Sequence, residues 1–208
     1  NFRPAQVSSN QLEVRIIPSP RMWDGSYNNN GWLQECPEGM TKLTWDNAIS
    51  ISPRLAKDIG YDPEQNSFKQ IASKNTATFK MGREVSPLGE ITIGGTTVRG
   101  PIHIQPGLAN YTVVIPLGYG RTKVGRIGKK TGFTAYPLVN TQSPGYVSGA
   151  KLNITDKTYL LANTQEHWSM EGRAIVREAN VEDYSKHPDF VDKMGLEAHS
   201  PPVYGNDS

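Results

Sequence analysis

The chain has 208 residues, 36% of them hydrophobic and 20% charged, and a net charge of +2. That length supports a substantial core, and so small a charge argues against a dedicated nucleic-acid or polyanion binder. One cysteine, Cys36, and four scattered histidines, His103, His167, His187 and His199, give neither the thiolates of an iron–sulfur cluster nor a zinc-ligand spacing.

No metal ligand and no catalytic residue is assigned on these grounds. The chain opens at Asn1, so the lack of a leader carries no information about destination. It is read as one strand-rich domain of a longer protein. Residues 1–10 form a flank, 11–173 the domain, and 174–208 a helical extension and linker. No apolar run reaches the length of a membrane helix. The 20 Gly and 15 Pro favour short strands and turns over long helices.

Leu12 to Ile17 (LEVRII) predicts a strand stopped by Pro18 and Pro20. The Asn28-Asn29-Asn30-Gly31 run that follows predicts turns and left-handed backbone. Leu43 to Ile51 (LTWDNAISI) reads as a second strand, with Asp46 and Asn47 suited to pinning a turn or bulge. Ser52 and Pro53 then open a short helix that Gly60 ends, burying Leu55, Ala56 and Ile59.

From Asp62 to Gly89 the chain is polar and reads as an insertion with a hairpin. Glu90 to Ile93 and Thr96 to Ile104 predict strands joined by the Gly94-Gly95 turn. Tyr111 to Leu117 predicts a central apolar strand, and Thr158 to Asn163 the last one. Phe133 to Val139 reads as a strand or a short turn of helix. Two short helices are expected beyond Asn180, the first capped by Asn180 itself. The predicted core holds Val14, Ile16, Ile49, Ile51, Val113, Val114 and Ile115. About six short strands suggest a small closed β-barrel.

The segment Gly118 to Gly132, GYGRTKVGRIGKKTG, carries Arg121, Lys123, Arg126, Lys129 and Lys130. Glycines admit an anion to the backbone and cations neutralise it, so a phosphate or pyrophosphate site is one reading. The spacing matches neither the dinucleotide fingerprint nor the P-loop. A solvated mobile loop, or one that docks on a neighbour, is the favoured reading. Trp32, just after the Asn turn, suits stacking on a ligand, an interface or the core. Gln165 to Arg173 holds His167 beside Glu166 and Glu171, an acid–base pairing by residue type. No nucleophile or oxyanion arrangement accompanies it, so this segment reads as an interface.

Two long strings carry a family resemblance. NNNGWLQECPEGMTKLTWDNAISISPRLAKDIG (28–60) and IHIQPGLANYTVVIPLGYGRTKVGRIGKKTGFTAYPL (102–138) resemble the molybdopterin-dinucleotide-binding domain of the dimethyl sulfoxide reductase superfamily. The segments NNNGWLQE, KLTWDNA, LGYGRT and TQEHWSMEGRAIVRE are similar to one branch of it, the B subunits of alternative complex III. The resemblance covers most of residues 11 to 190, departing at the 62–89 insertion.

The resemblance implies a mainly β fold, a six-stranded double-psi β-barrel with short helices and a C-terminal extension. It implies a non-catalytic structural domain of a quinol-oxidising respiratory complex that has lost its molybdenum cofactor. Iron–sulfur clusters would lie outside this segment, and no cofactor within it. Partners would be other domains of the same chain and other subunits of the membrane-bound complex, at the periplasmic face of a bacterial cytoplasmic membrane. Nucleic acid and a direct membrane span are not expected. Interface candidates are Trp32, Arg121, Arg126, His167, Trp168 and Arg173.

The alternative is the dinucleotide-binding domain of an active molybdenum oxidoreductase, with Asn29, Gly31, Trp32, Gly118, Gly120, Arg121 and Arg126 as candidates for the grip. A free-standing anion or nucleic-acid binder rests on the basic loop alone.

Overall fold

A computed structural model describes residues 6–61, 79–80, 83–142, 144–164 and 177–193. Contacts divide the chain into two compact units, 1–166 and 167–208. Among the described residues no helix is long and apolar enough to cross a membrane.

The first unit is mainly β. Its elements run β1 (Leu12–Ile17), α1 (Gly31–Glu35), β2 (Leu43–Thr44), β3 (Ile49–Ile51), α2 (Pro53–Asp58), β4 (Phe79–Lys80), β5 (Arg83–Ile93), β6 (Thr96–Ile104), β7 (Thr112–Pro116) and β8 (Tyr146–Asn163), with a 3₁₀ turn at Tyr136–Leu138. The strands form one uneven, mixed, eight-stranded sheet in the order β2-β8-β1-β7-β3-β6-β5-β4, with β8 also pairing β5. β1 runs parallel to β7, with Val14 opposite Val113 and Ile16 opposite Ile115. β3 runs parallel to β6, with Ile49 opposite Ile102. The other pairings are antiparallel.

Alternation along β1 sends Leu12, Val14 and Ile16 inward, where they meet Ile49 and Ile51, Val113 and Ile115, Ile91, Ile102 and Leu152. Each such side chain, fully buried, stabilises the fold by about 1.5–3 kcal/mol. α2 closes one side: Ser52 Oγ accepts the Leu55 N–H at 3.1 Å, Leu55 and Ala56 are buried, and Ile59 packs on the core. Gly94 and Gly95, at φ 55° and 87°, make the tight β5–β6 turn that only left-handed residues allow.

The structure corrects several expectations. The strand expected over 43–51 is broken into β2 and β3, because Trp45 sits at φ 65° and ends the pleat. Val114 is only half-buried; with Val113 and Ile115 directed inward, it lies on the opposite face of β7. The last strand starts at Tyr146 and runs 18 residues, although most of its side chains are exposed. Residues 83–89, read as insertion, belong to β5, and β4 pairs with it as a hairpin. Residues 62–78 and 81–82 lie outside the described residues.

The second unit holds α3 (Val181–Lys186) and α4 (Phe190–Lys193). Asn180 caps α3 as expected, its side chain accepting from Asp183 N at 2.8 Å. Tyr184 meets Phe190 edge-on at 6.4 Å, and Arg177 donates to the Val191 carbonyl at 2.8 Å.

Candidate functional site

Two loops between strands meet in the first unit. One leads from β1 through α1 and the other leaves β7 with the glycine-rich basic sequence. Asn30 caps α1, its side-chain oxygen accepting from Leu33 N at 3.3 Å. The carbonyls at the other end of this five-residue helix are met by Arg21. Its guanidinium donates to the carbonyls of Gln34 at 3.1 Å, Cys36 at 2.8 Å and Asp46 at 3.4 Å, and to the Tyr119 hydroxyl at 2.8 Å. Arg21 is buried, so these donors are fixed in place away from water. Burial raises the Tyr119 pKa, and the charge of Arg21 opposes that rise.

The Asn run stitches the loops together. Asn28 Nδ2 donates to the Gly118 carbonyl at 3.0 Å. Asn29 Oδ1 accepts the backbone amides of Ile127 at 3.0 Å and Gly128 at 3.2 Å. Gln34 Nε2, fully buried, donates to the Asn28 carbonyl at 2.8 Å. Glycine is required where the loops touch, because a Cβ on Gly125 or Gly128 would stand closer than 3.0 Å to Asn29 or Asn28.

Farther along the basic loop, Asp46 Oδ1 accepts from Gly132 N at 2.8 Å and from the Tyr159 hydroxyl at 3.0 Å. Asn47 accepts from Phe133 N at 2.9 Å and donates to the carbonyls of Pro116 at 2.9 Å and Phe133 at 3.1 Å. The side chains of Asp46 and Asn47, expected to pin a local turn or bulge, instead reach across to residues 116, 132, 133 and 159 and hold the end of the basic loop.

The chain's own Asn, Gln and Asp side chains hydrogen-bond this loop at several points. Most of the candidates for gripping a dinucleotide are engaged internally. Asn29 holds residues 127 and 128, the Gly118 carbonyl takes Asn28, and Arg121 donates to the Gly25 carbonyl at 2.7 Å. Gly120 N donates to Thr131 O at 2.8 Å, and Gly31 lies under Ile127. Arg126 and Trp32 face solvent, Trp32 at 86% exposure. His167, Trp168 and Arg173 lie outside the described residues.

Sequence reasoning did not assign Arg21, Asn28 or Gln34. A buried Arg preceding an Asn-rich turn gives no periodic signal. It also missed Trp23, Tyr27 and Tyr136, which are exposed on the same two loops. Tyr136 bridges them, its hydroxyl donating to the Asp24 carbonyl at 2.6 Å. Hydrogen bonds from Ser26 lower the Asp24 pKa, so that carboxylate is occupied locally.

The two loops thus carry exposed aromatics, together with exposed Lys123, Arg126, Lys129 and Lys130, which form no ion pair among the described residues. Among the described residues no group of three or more His, Cys, Asp or Glu is placed to hold a metal ion. No protein-family model matches the chain, and no curated protein matches it.

Proposed function

We propose that this chain is a non-catalytic structural domain of a quinol-oxidising respiratory electron-transfer complex, docking on its neighbours through the two stitched loops. The observation that carries the reading is a contrast between those loops' inner and outer groups. Of the groups that would grip a dinucleotide, Asn29, Gly118 and Arg121 are hydrogen-bonded to the chain itself, whereas Trp32 and Arg126 stay exposed, as do Trp23, Tyr27 and the loop lysines. Large aromatic and cationic side chains bury much area and offer directed donors, which suits an interface. Charge complementarity makes the partner surface acidic, with apolar recesses for the aromatic rings.

The finer fold we propose is the double-psi barrel. What supports it is a cycle of pairings, β1–β7–β3–β6–β5–β8 and back to β1, with parallel pairs at β1/β7 and β3/β6. Exchanging β1 with β6, β3 with β7, and β5 with β8 leaves every pairing in that cycle unchanged. Two interleaved three-strand units would produce this.

In this reading the parent carries its iron–sulfur clusters outside residues 1–208 and works at the periplasmic face of a bacterial membrane. Metal and pterin analysis of the full-length parent tests it. The scaffold reading expects iron without stoichiometric molybdenum or pterin. About one pterin dinucleotide per chain, lost on changing Arg121 and Arg126 to Ala, would establish the cofactor-binding alternative instead.

A further inference from the structure

A cleft of about 260 Å³ lies on the side of the sheet opposite the core. Its floor is Ile17, Val114 and Pro116 of β1 and β7, the positions alternating with the buried Ile16, Val113 and Ile115. The half-buried Val114, out of place as a core residue, is thus accounted for. Its roof is the segment carrying Met40 and Leu43, and Leu108 stands at another side.

The roof is a self-supporting turn. Glu38 N donates to Leu43 O, and Lys42 N donates to Glu38 O, both at 2.9 Å. Glu38 Oε2 accepts the amides of Met40 at 3.0 Å and Thr41 at 2.6 Å. Met40 lines the cleft yet is 73% exposed, so an adaptable thioether stands at the mouth. Interiors are otherwise close-packed. A dry apolar void of about 150 Å³ already takes a benzene-sized guest.

Charge at the cleft narrows the guest. Glu38 and Asp46 both line it, against the single cation Arg21, whose charge acts on Glu38 and whose guanidinium donors are taken up by carbonyls and the Tyr119 hydroxyl, so the lining keeps a net negative charge. Burial works against the charged form of Glu38, but the Thr41 and Met40 hydrogen bonds outweigh it and keep the carboxyl ionised below its ordinary range. Both amides share Oε2, and the Thr41 side chain adds a further hydrogen bond to the carboxylate.

We propose that this cleft binds a small molecule with a ring-sized apolar body and a cationic, hydrogen-bond-donating end that meets Glu38. The apolar floor takes the body, Met40 adapts over it, and the carboxylate at the rim selects the charge. An anion of the same shape is repelled. The cleft shares Arg21, Asp46, Asn47 and Tyr119 with the framework that holds the two loops, but none of the exposed aromatics Trp23, Tyr27 and Trp32 lines it, so the proposal does not depend on the docking role.

The test is a methyl NMR titration of the 208-residue chain with 2-phenylethylammonium, phenylacetate and toluene. The expected result is saturable shifts of the Val114, Leu43 and Ala48 methyls, with the ammonium binding about tenfold more tightly than phenylacetate. Val114→Phe should fill the cleft and abolish binding of all three. Leu108→Trp, at the rim, serves the same purpose should the first variant fail to fold. Glu38→Gln keeps an acceptor for the turn amides, and should bring the ammonium and phenylacetate to equal affinity. No saturable shift, shifts confined to other methyls, binding that survives the filled cleft, or a charge preference that survives Glu38→Gln would each overturn the proposal.

Discussion

Asn29 holds Ile127 across two loops that are far apart in sequence: its side-chain oxygen accepts the Ile127 amide at 3.0 Å. A glycine-rich segment is costly to order because its unfolded chain has so many conformations. Here the cost is offset locally, since Asn28, Asn29 and Gln34 provide hydrogen bonds that need no partner protein. The basic loop therefore reaches any neighbour already shaped.

That arrangement makes the loop glycines sensitive positions. Gly128→Ala would drive a Cβ into Asn28, and Asn28 is fully buried. The expected loss is about 2–3 kcal/mol of unfolding free energy, measured by urea denaturation. Gly39→Ala, where a Cβ would meet nothing within 4 Å, should change stability by no more than about 0.5 kcal/mol.

Arg21 should be the most consequential cation for stability. Removing it takes a donor from the carbonyls of Gln34, Cys36 and Asp46 and from the Tyr119 hydroxyl, and leaves the Gln34 carbonyl with the Trp45 amide alone. Arg21→Met is expected to cost about 3 kcal/mol or more. Arg21→Lys should recover only a minor part, because an ammonium cannot reproduce a planar fork of donors. Thermal melts of the three proteins under one buffer condition check both statements.

Glu38 links stability to pH. Its folded pKa is depressed, so its contribution is present above the unfolded-state value of about 4.5 and is lost as the pH falls through the lower folded value. Melting temperature should therefore drop more steeply below pH 4.5 in the natural protein than in Glu38→Gln. Parallel acid limbs would show that the turn amides do not favour the carboxylate.

Much of the fold was legible where local chemistry decides. β1 spans the residues its alternation predicted. α2 follows from Ser52, Pro53 and Gly60, and the β5–β6 hairpin from Gly94-Gly95. What failed depends on distant contacts. Trp45 belongs to a good strand-forming run, and only its positive φ breaks it. β8 gave little apolar signal because so much of it is exposed, although it pairs β1, β2 and β5. The exchange symmetry of the pairing cycle left no repeat in the sequence, since its exchanged strands, such as β1 and β6, differ in length.

The site was half legible. Trp32 and the loop cations were singled out and prove exposed. The internal use of Asn29, Gly118 and Arg121 was not foreseen, because a glycine-rich basic loop has the same composition whether it is empty or filled by its neighbour. Only the approach of the Asn run distinguishes the two.

The docking role of the exposed surface is tested most directly by purifying the proposed parent assembly with Trp32→Ala, Arg126→Ala and Lys130→Ala combined. These side chains are exposed, so the isolated chain should lose no more than about 1 kcal/mol of stability. The account predicts that the variant chain folds normally while partner subunits fall to substoichiometric levels in the purified assembly. Normal subunit content and normal iron–sulfur reduction in that triple variant would contradict it.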